Sequence, residues 1–290
     1  MSRIFDALQR SGIERTGVEY PDTVSVATNV FEAPEAPKEE QEELPAIPLE
    51  EFPSLEVCVE PSSRLVFLTE PESLAAEKFR FLGVRMRQLQ QSRPIKKVLV
   101  TSTIAEEGKS TVSANLAGVL ARRKRHKVLL IEGDLRRPVL AKQFGLGKLA
   151  GLTEWLRSDS EEVSNIYHLN GPDFCLMPAG HPPENPLELL QSGRISALMG
   201  RLSPLFDWII IDSPPLLPLA DTTVWKRLTD GALLVVREGT TERTPLQRSL
   251  EILKKTDLFG VVLNSSSNGN HQNYYQRYAA AAKELKKNSR

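Results

Sequence analysis

The sequence predicts an α/β protein in which a mostly parallel sheet carries helices on both faces and is preceded by a disordered N-terminal tail. Three observations predict it. Short apolar and β-branched runs, among them Val98-Leu-Val-Thr101, Val128-Leu-Leu-Ile131, Ile209-Ile-Ile211 and Gly231-Ala-Leu-Leu-Val-Val236, alternate with helix-like stretches. These runs are apolar nearly without a break, as expected of strands covered on both faces. Ahead of them, residues 30–61 hold ten glutamates and six prolines against the single Lys38, a composition that cannot bury enough apolar surface to offset chain entropy.

Taken in order, residues 1–15 read as a short amphipathic helix with Ile4, Phe5 and Leu8 on one side, too short to be stable alone. Residues 16–63 form the acidic, proline-rich linker, 64–267 the folded domain, and 268–290 a basic, tyrosine-containing tail. Within the domain a charged helix from Glu72 to about Gln91 precedes the first core strand, Lys97 to Ser102. A loop then leads to a helix ending near Arg122, followed by the Val128 strand. Further on come a helix from Pro186 to Leu202, the Ile209 strand, a helix from Asp221 to Leu228, the Gly231 strand, a helix from Thr244 to Lys255, and a last strand, Gly260-Val-Val-Leu-Asn264.

Composition narrows the function classes. The 37 basic and 37 acidic residues balance, 40% of the chain is hydrophobic, and no run approaches the ~18 apolar residues that span a bilayer. The N-terminus has no signal-peptide core, so a cytoplasmic location is expected. Cys58 and Cys175 lack the C-x-x-C spacing of a metal or redox site. The basic turn Arg122-Arg-Lys-Arg-His-Lys127 has no interleaved aromatics and suits a helix C-terminus, where cations meet the dipole, so no nucleic-acid partner is expected.

The chemistry is concentrated at strand ends. Thr101-Ser-Thr-Ile-Ala-Glu-Glu-Gly-Lys-Ser-Thr111 sits between a strand and a helix, the setting of a phosphate-binding loop. There, backbone N–H groups and the helix N-terminus hold an anion with little help from side chains. Gly108 lets the backbone approach, Lys109 supplies a cation for the β/γ oxygens, and the Ser110 hydroxyl can complete a Mg²⁺ shell. Asp212, ending the Ile209 strand before Ser213-Pro-Pro215, stands where a Mg²⁺-associated carboxylate belongs. Thr103, Glu132, Asp134, Asp212 and Asn264 all follow strands directly, and in a parallel sheet that places them at one ligand-binding edge.

Val128-Leu-Leu-Ile-Glu-Gly-Asp-Leu-Arg-Arg-Pro138 puts two carboxylates, Glu132 and Asp134, beside the phosphate loop. With this segment, the Gly151-Leu152 turn, Asn185-Pro-Leu-Glu-Leu-Leu190, Asp212-Ser-Pro-Pro215, Asp230-Gly-Ala-Leu-Leu-Val-Val236 and Gly260-Val-Val-Leu-Asn264, the chain resembles the bacterial tyrosine kinases of capsule and exopolysaccharide loci. Those are relatives of the deviant-Walker ATPases that partition plasmids and position division sites. The resemblance covers about residues 64–278 and implies a P-loop NTPase-like fold and ATP-dependent phosphorylation of protein tyrosines, chiefly in a C-terminal tail passed between subunits.

The resemblance also implies roles. ATP is held by Glu107, Gly108, Lys109, Ser110 and Thr111, with Asn264 at the adenine edge. Mg²⁺ is held by Ser110 with Asp134 and Asp212, partly through water. Glu132 or Asp134 orients or deprotonates the incoming tyrosine, so Lys109, Glu132, Asp134 and Asp212 form the catalytic set. Tyr274, Tyr275 and Tyr278, three of the five tyrosines, are the acceptors. A membrane-bound polysaccharide co-polymerase is the expected activator, recruiting the chain to the inner face of the membrane, and the chain itself the expected oligomeric partner.

Departures from the pattern keep two alternatives open, a partitioning-type ATPase switch and a catalytically weak regulatory homologue. The first glycine of G-x-x-x-x-G-K-[ST] is Thr103 here, Glu106 stands where many relatives have glycine, and Glu132 where they have aspartate. The subunit-contact pattern E-x-x-R-x-x-R is present only as Glu77-x-x-Arg80 with Gly83 third. Partitioning ATPases carry a lysine just after the first loop strand, where this chain has Ile104.

Overall fold

The computed structural model describes residues 52–122, 126–217 and 219–265. Eight strands form one sheet: β1 (Ser54–Glu56), β2 (Lys97–Ser102), β3 (Val128–Glu132), β4 (Tyr167–Asn170), β5 (Phe174–Met177), β6 (Trp208–Asp212), β7 (Gly231–Arg237) and β8 (Leu258–Asn264), in the order β1-β4-β5-β3-β6-β2-β7-β8. Every pairing is parallel except the β4–β5 hairpin. The expected mostly parallel α/β sheet is therefore what forms.

The two faces can be read residue by residue. Val98 and Val100 of β2, Leu130 of β3, Ile210 of β6 and Val235 of β7 enter one core cluster. Leu99, Leu129, Ile131, Ile209, Ile211, Leu234 and Val236 enter the other. Alternate side chains point to opposite faces, and both faces are buried, which is why these strands are apolar at consecutive positions. One face is covered by α1 (Val66–Thr69), α2 (Leu74–Ser92) and α3 (Lys109–Ala121). The other lies under α5 (Leu152–Arg157), α6 (Pro186–Leu190), α7 (Arg194–Leu202), α8 (Asp221–Arg227) and α9 (Arg243–Asp257), while α4 (Leu140–Gln143) follows the β3 strand end.

Several boundaries differ from the sequence reading for physical reasons. The helix expected from Glu72 begins at Leu74, because Ser73 caps it by accepting from the Ala76 N–H at 3.1 Å. The single helix expected from Pro186 to Leu202 is two, α6 and α7, separated at Gly193, which takes a left-handed φ of 79°. The folded unit also begins earlier than residue 64. Phe52 is buried and stacks on Phe206, and β1 pairs with β4, so the end of the segment read as linker is a sheet edge. The β4–β5 hairpin and the short helices α1, α4 and α5 have no counterpart in the sequence reading.

The central helix α3 has eleven buried residues and no polar face. Its Gly118 faces the Phe67 ring of α1, close enough that a Cβ there would overlap the ring. Gly→Ala inside a helix normally stabilises by about 1 kcal/mol. Here overpacking should reverse the sign, so Gly118→Ala is expected to destabilise by about 1–3 kcal/mol in a denaturant titration.

Candidate nucleotide-binding and phosphoryl-transfer site

Strand order decides where chemistry collects. β2 lies at the centre, between β6 and β7, and β3 follows β6. Asp212 is level with Val100 on one side and with Glu132 on the other, so the ends of β2, β3 and β6 deliver the loop and the carboxylates to one edge. A cleft of about 700 Å³ opens there, lined on one wall by Gly108, Lys109, Ser110 and Thr111 and on the other by Asp134, Arg136, Arg137 and Val139.

The loop is shaped by two left-handed residues, Glu106 (φ 67°) and Gly108 (φ 91°). Gly108 admits no Cβ, because one would collide with the Asn264 amide. That amide nitrogen donates to the Glu107 carbonyl at 2.9 Å, and its oxygen accepts from the Ser265 N–H at 2.9 Å. Asn264 therefore braces the loop, and its amide keeps a second N–H and a second lone pair beyond these two bonds. Glu107 is likewise turned away from the cleft. Its buried carboxylate accepts from the Ile104 N–H at 2.9 Å, from the Thr241 hydroxyl and, at 3.4 Å, from the Arg237 N–H. What Glu107 can offer a nucleotide is backbone alone.

Lys109 and Asp134 meet at the cleft, Nζ to Oδ2 at 2.9 Å. Burial works against the lysine's charge, but the Asp212 and Asp134 carboxylates outweigh it and hold Lys109 above its ordinary pKa. Behind them Asp212 is wholly buried. Burial pushes its carboxyl up to about 7 against the pull of Lys109 and the Ser110 hydroxyl, with Glu132 and Asp134 adding repulsion. Ser113 Oγ donates to Asp212 Oδ1 at 3.3 Å, while Oδ2 has no hydrogen-bond partner among the described residues.

That orphaned oxygen is the observation that fits a divalent cation. Ser110, buried in the first turn of α3, adds a hydroxyl, yet among the described residues no group of three or more His, Cys, Asp or Glu could hold a metal by itself. Mg²⁺ suits such a site, since it is commonly bound by one or two carboxylates plus substrate phosphates and water.

Glu132 stands apart from this group. Its Oε1 accepts from the Val139 and Leu140 N–H groups and its Oε2 from the Ala179 N–H at 3.0 Å. Burial raises its pKa against the effect of those three bonds. Gly133, between the two carboxylates, is required by close approach: a Cβ would lie 2.8 Å from the Trp225 ring, whose Nε1–H donates to the Gly133 carbonyl at 3.2 Å. Tyr274, Tyr275 and Tyr278 lie outside the described residues.

Sequence reasoning missed the support around the site. Arg136 forks onto buried Asp221, Nε to Oδ2 at 2.7 Å and Nη2 to Oδ1 at 3.1 Å. The Thr101, Ser213 and Thr222 hydroxyls all donate to the Pro214 carbonyl, fixing the turn after Asp212. An aspartate in the first turn of a helix was the available signal for Asp221, but it reads equally as a simple dipole partner. Of the subunit-contact pattern, Glu77 pairs with Arg80 within α2, and Gly83 is buried against Val119 of α3.

The chain matches a family model described as the CobQ/CobB/MinD/ParA nucleotide binding domain over residues 98–288. It is 34% identical over 212 residues to the tyrosine-protein kinase YwqD of Bacillus subtilis, covering 72% of this chain and 89% of that protein. Among solved structures, the chimerical protein CapA2B2 aligns with a TM-score of 0.66 at 27% identity, covering 74% of this chain and 95% of that one. The kinase domain of the Escherichia coli tyrosine kinase ETK aligns with a TM-score of 0.65 at 28% identity, covering 70% and 82%.

Two outcomes follow from the geometry. A left-handed conformation costs a non-glycine residue about 1 kcal/mol, so Glu106→Gly should raise unfolding stability by about that much in a denaturant titration. For Asp212, a folded pKa above the unfolded one means that the folded state binds the extra proton. Its contribution is then full below the ordinary 3.8 and lost as pH rises to about 7. Calorimetry of the nucleotide-free, chelator-treated protein should show Tm falling across that window, with Asp212→Asn flattening the fall.

Proposed function

We propose, from the premise that this chain belongs to the tyrosine-protein kinases within the CobQ/CobB/MinD/ParA nucleotide-binding domain family, that it transfers the γ-phosphoryl group of ATP to tyrosine hydroxyls of its own C-terminal tail. The observation that carries the reading is the Lys109–Asp134 pair at the mouth of the cleft. It places a phosphate-neutralising cation and a proton-accepting carboxylate in direct contact. Relatives named as tyrosine-protein kinases support this over a partitioning switch.

The residues divide the work. The loop backbone through Gly108 and the α3 N-terminus receive the phosphates, with Thr111 in the same first turn. Lys109 exchanges Asp134 for the phosphate oxygens, which frees Asp134 Oδ2 to face the acceptor. The tyrosine oxygen then attacks the γ-phosphorus as the bond to the β–γ bridging oxygen breaks. ADP leaves, and the hydroxyl proton passes to Asp134 and on to solvent. Ser110 and Asp212, with Asp134 through water, would hold Mg²⁺, which supplies charge neutralisation when bound. Because phosphoryl transfer is largely positioning and electrostatics, Lys109 carries a large share of the rate.

Tyr274, Tyr275 and Tyr278 are the proposed acceptors, presented by a neighbouring copy of the chain. Capsular or exopolysaccharide assembly is the proposed setting, with a membrane-bound co-polymerase as activator. No helix among the described residues is long and apolar enough to cross a membrane, and that partner would supply attachment to the inner face.

Incubation of the purified full chain with Mg-ATP, followed by phosphotyrosine mapping by mass spectrometry, tests the reading. Modification within residues 274–278 is expected, falling at least about a thousandfold in rate in Lys109→Met. ATP turnover without phosphotyrosine would sink it.

A further inference from the structure

Glu132 occupies the position at which the family resemblance places a carboxylate acting on metal or acceptor, yet it does not line the cleft and is 1% exposed. Both its oxygens are committed to backbone donors. One receives the Val139 and Leu140 N–H groups, which open α4, and the other receives the Ala179 N–H. Ala179 is itself fixed, since its carbonyl accepts from the Thr153 N–H of α5 at 2.9 Å. Drawing Glu132 to a metal or a tyrosine would leave three N–H groups without their partner, those of Leu140 and Ala179 in buried bonds, and unpaired buried backbone donors are among the costlier defects a fold can carry. The extra methylene of glutamate over aspartate supplies the reach from the end of β3 to two separate turns.

The same bonds set the neighbouring carboxylate. Asp134 lies in the turn that starts at Glu132 and returns at Val139. Within that turn Asp134 Oδ1 accepts from the Arg137 N–H at 3.1 Å, and Arg136 is clamped to buried Asp221. The turn is therefore anchored at residues 132, 136 and 139–140, leaving Asp134 Oδ2 directed at Lys109. We infer that Glu132 is a positioning residue, a buried brace that fixes Asp134 against Lys109, and that proton and metal chemistry in this chain rest on Asp134 and Asp212 without it. This rests on the kinase reading of the site.

The experiment compares Glu132→Gln and Glu132→Asp in the full chain, because the two roles rank them oppositely. Glutamine keeps the length and one accepting oxygen for the Val139 and Leu140 donors. Aspartate keeps the charge but loses the reach. A brace predicts that Glu132→Gln stays within about tenfold of the wild-type kcat, with an unchanged KM for ATP and an unchanged acidic limb of the pH profile. It predicts that Glu132→Asp falls at least tenfold further, with faster hydrogen exchange at Val139, Leu140 and Ala179. A near wild-type Glu132→Asp beside a Glu132→Gln reduced a hundredfold or more, with exchange unaltered, would overturn the inference.

A measurement on the wild type covers the case in which a variant does not fold. Residue-resolved exchange at Val139, Leu140 and Ala179 should be as slow with Mg-ADP as without it, and protection lost on adding Mg-ADP would mean that Glu132 leaves the brace. Absence of phosphotyrosine from the wild-type chain would remove the kinase reading, whereas exchange at these three amides still reports on the brace.

Discussion

The constraint on which the rest depends is the burial of three carboxylates around one lysine. Glu132, Asp134 and Asp212 are each 3% exposed or less, and Lys109 is the cation whose charge acts on all three and which contacts Asp134. Buried charge is tolerated only when paired or hydrogen-bonded, and each carboxylate here meets that requirement differently. Asp134 takes the lysine, Glu132 takes three backbone N–H groups, and Asp212 holds a proton more readily than an ordinary carboxylate, its pKa raised to about 7 by burial. The sheet brings two of the three together, because β3 and β6 are parallel neighbours in a register that sets Glu132 level with Asp212.

An anionic nucleotide with its cation would resolve this electrostatic tension. Phosphate oxygens would compete for Lys109, and a divalent cation would favour the ionised form of Asp212, whose Oδ2 lacks a protein partner among the described residues. The site is thus held together by the same charges that a ligand would redistribute. Preorganisation of this kind is what phosphoryl transfer requires, since little reorganisation is left for the moment of reaction.

The fold was legible where the physics is local. Continuous apolar runs gave β2, β3, β6, β7 and β8, because a strand covered on both faces needs apolar residues at successive positions. The β4–β5 hairpin was not legible. Its strands are four residues each, and the turn rests on left-handed Gly171 and Asp173, with no long apolar signal. At the site, Lys109, Ser110 and Asp134, singled out in the sequence, line the cleft, and Asp212 is buried behind them. It could not show that the Glu107, Glu132 and Asn264 side chains face inward to bind backbone. Residue type states what a carboxylate or amide can accept, whereas the partner depends on turns that lie 7, 47 or 157 residues away.

The departures from the family pattern do not share one meaning. Glu106 keeps a left-handed backbone that glycine would adopt freely, so its carboxylate is bought with strain at an exposed tip, while Arg237 donates to its carbonyl at 3.4 Å. Glu132 carries no such strain, and its longer side chain makes bonds that reach two turns at once. The first substitution leaves the phosphate loop in the shape that a glycine would give it. The second ties a carboxylate to three backbone donors, away from the cleft lining. Of the two carboxylates in the signature segment, Asp134 alone lines the cleft, and its contact with Lys109 is where that segment meets the phosphate loop.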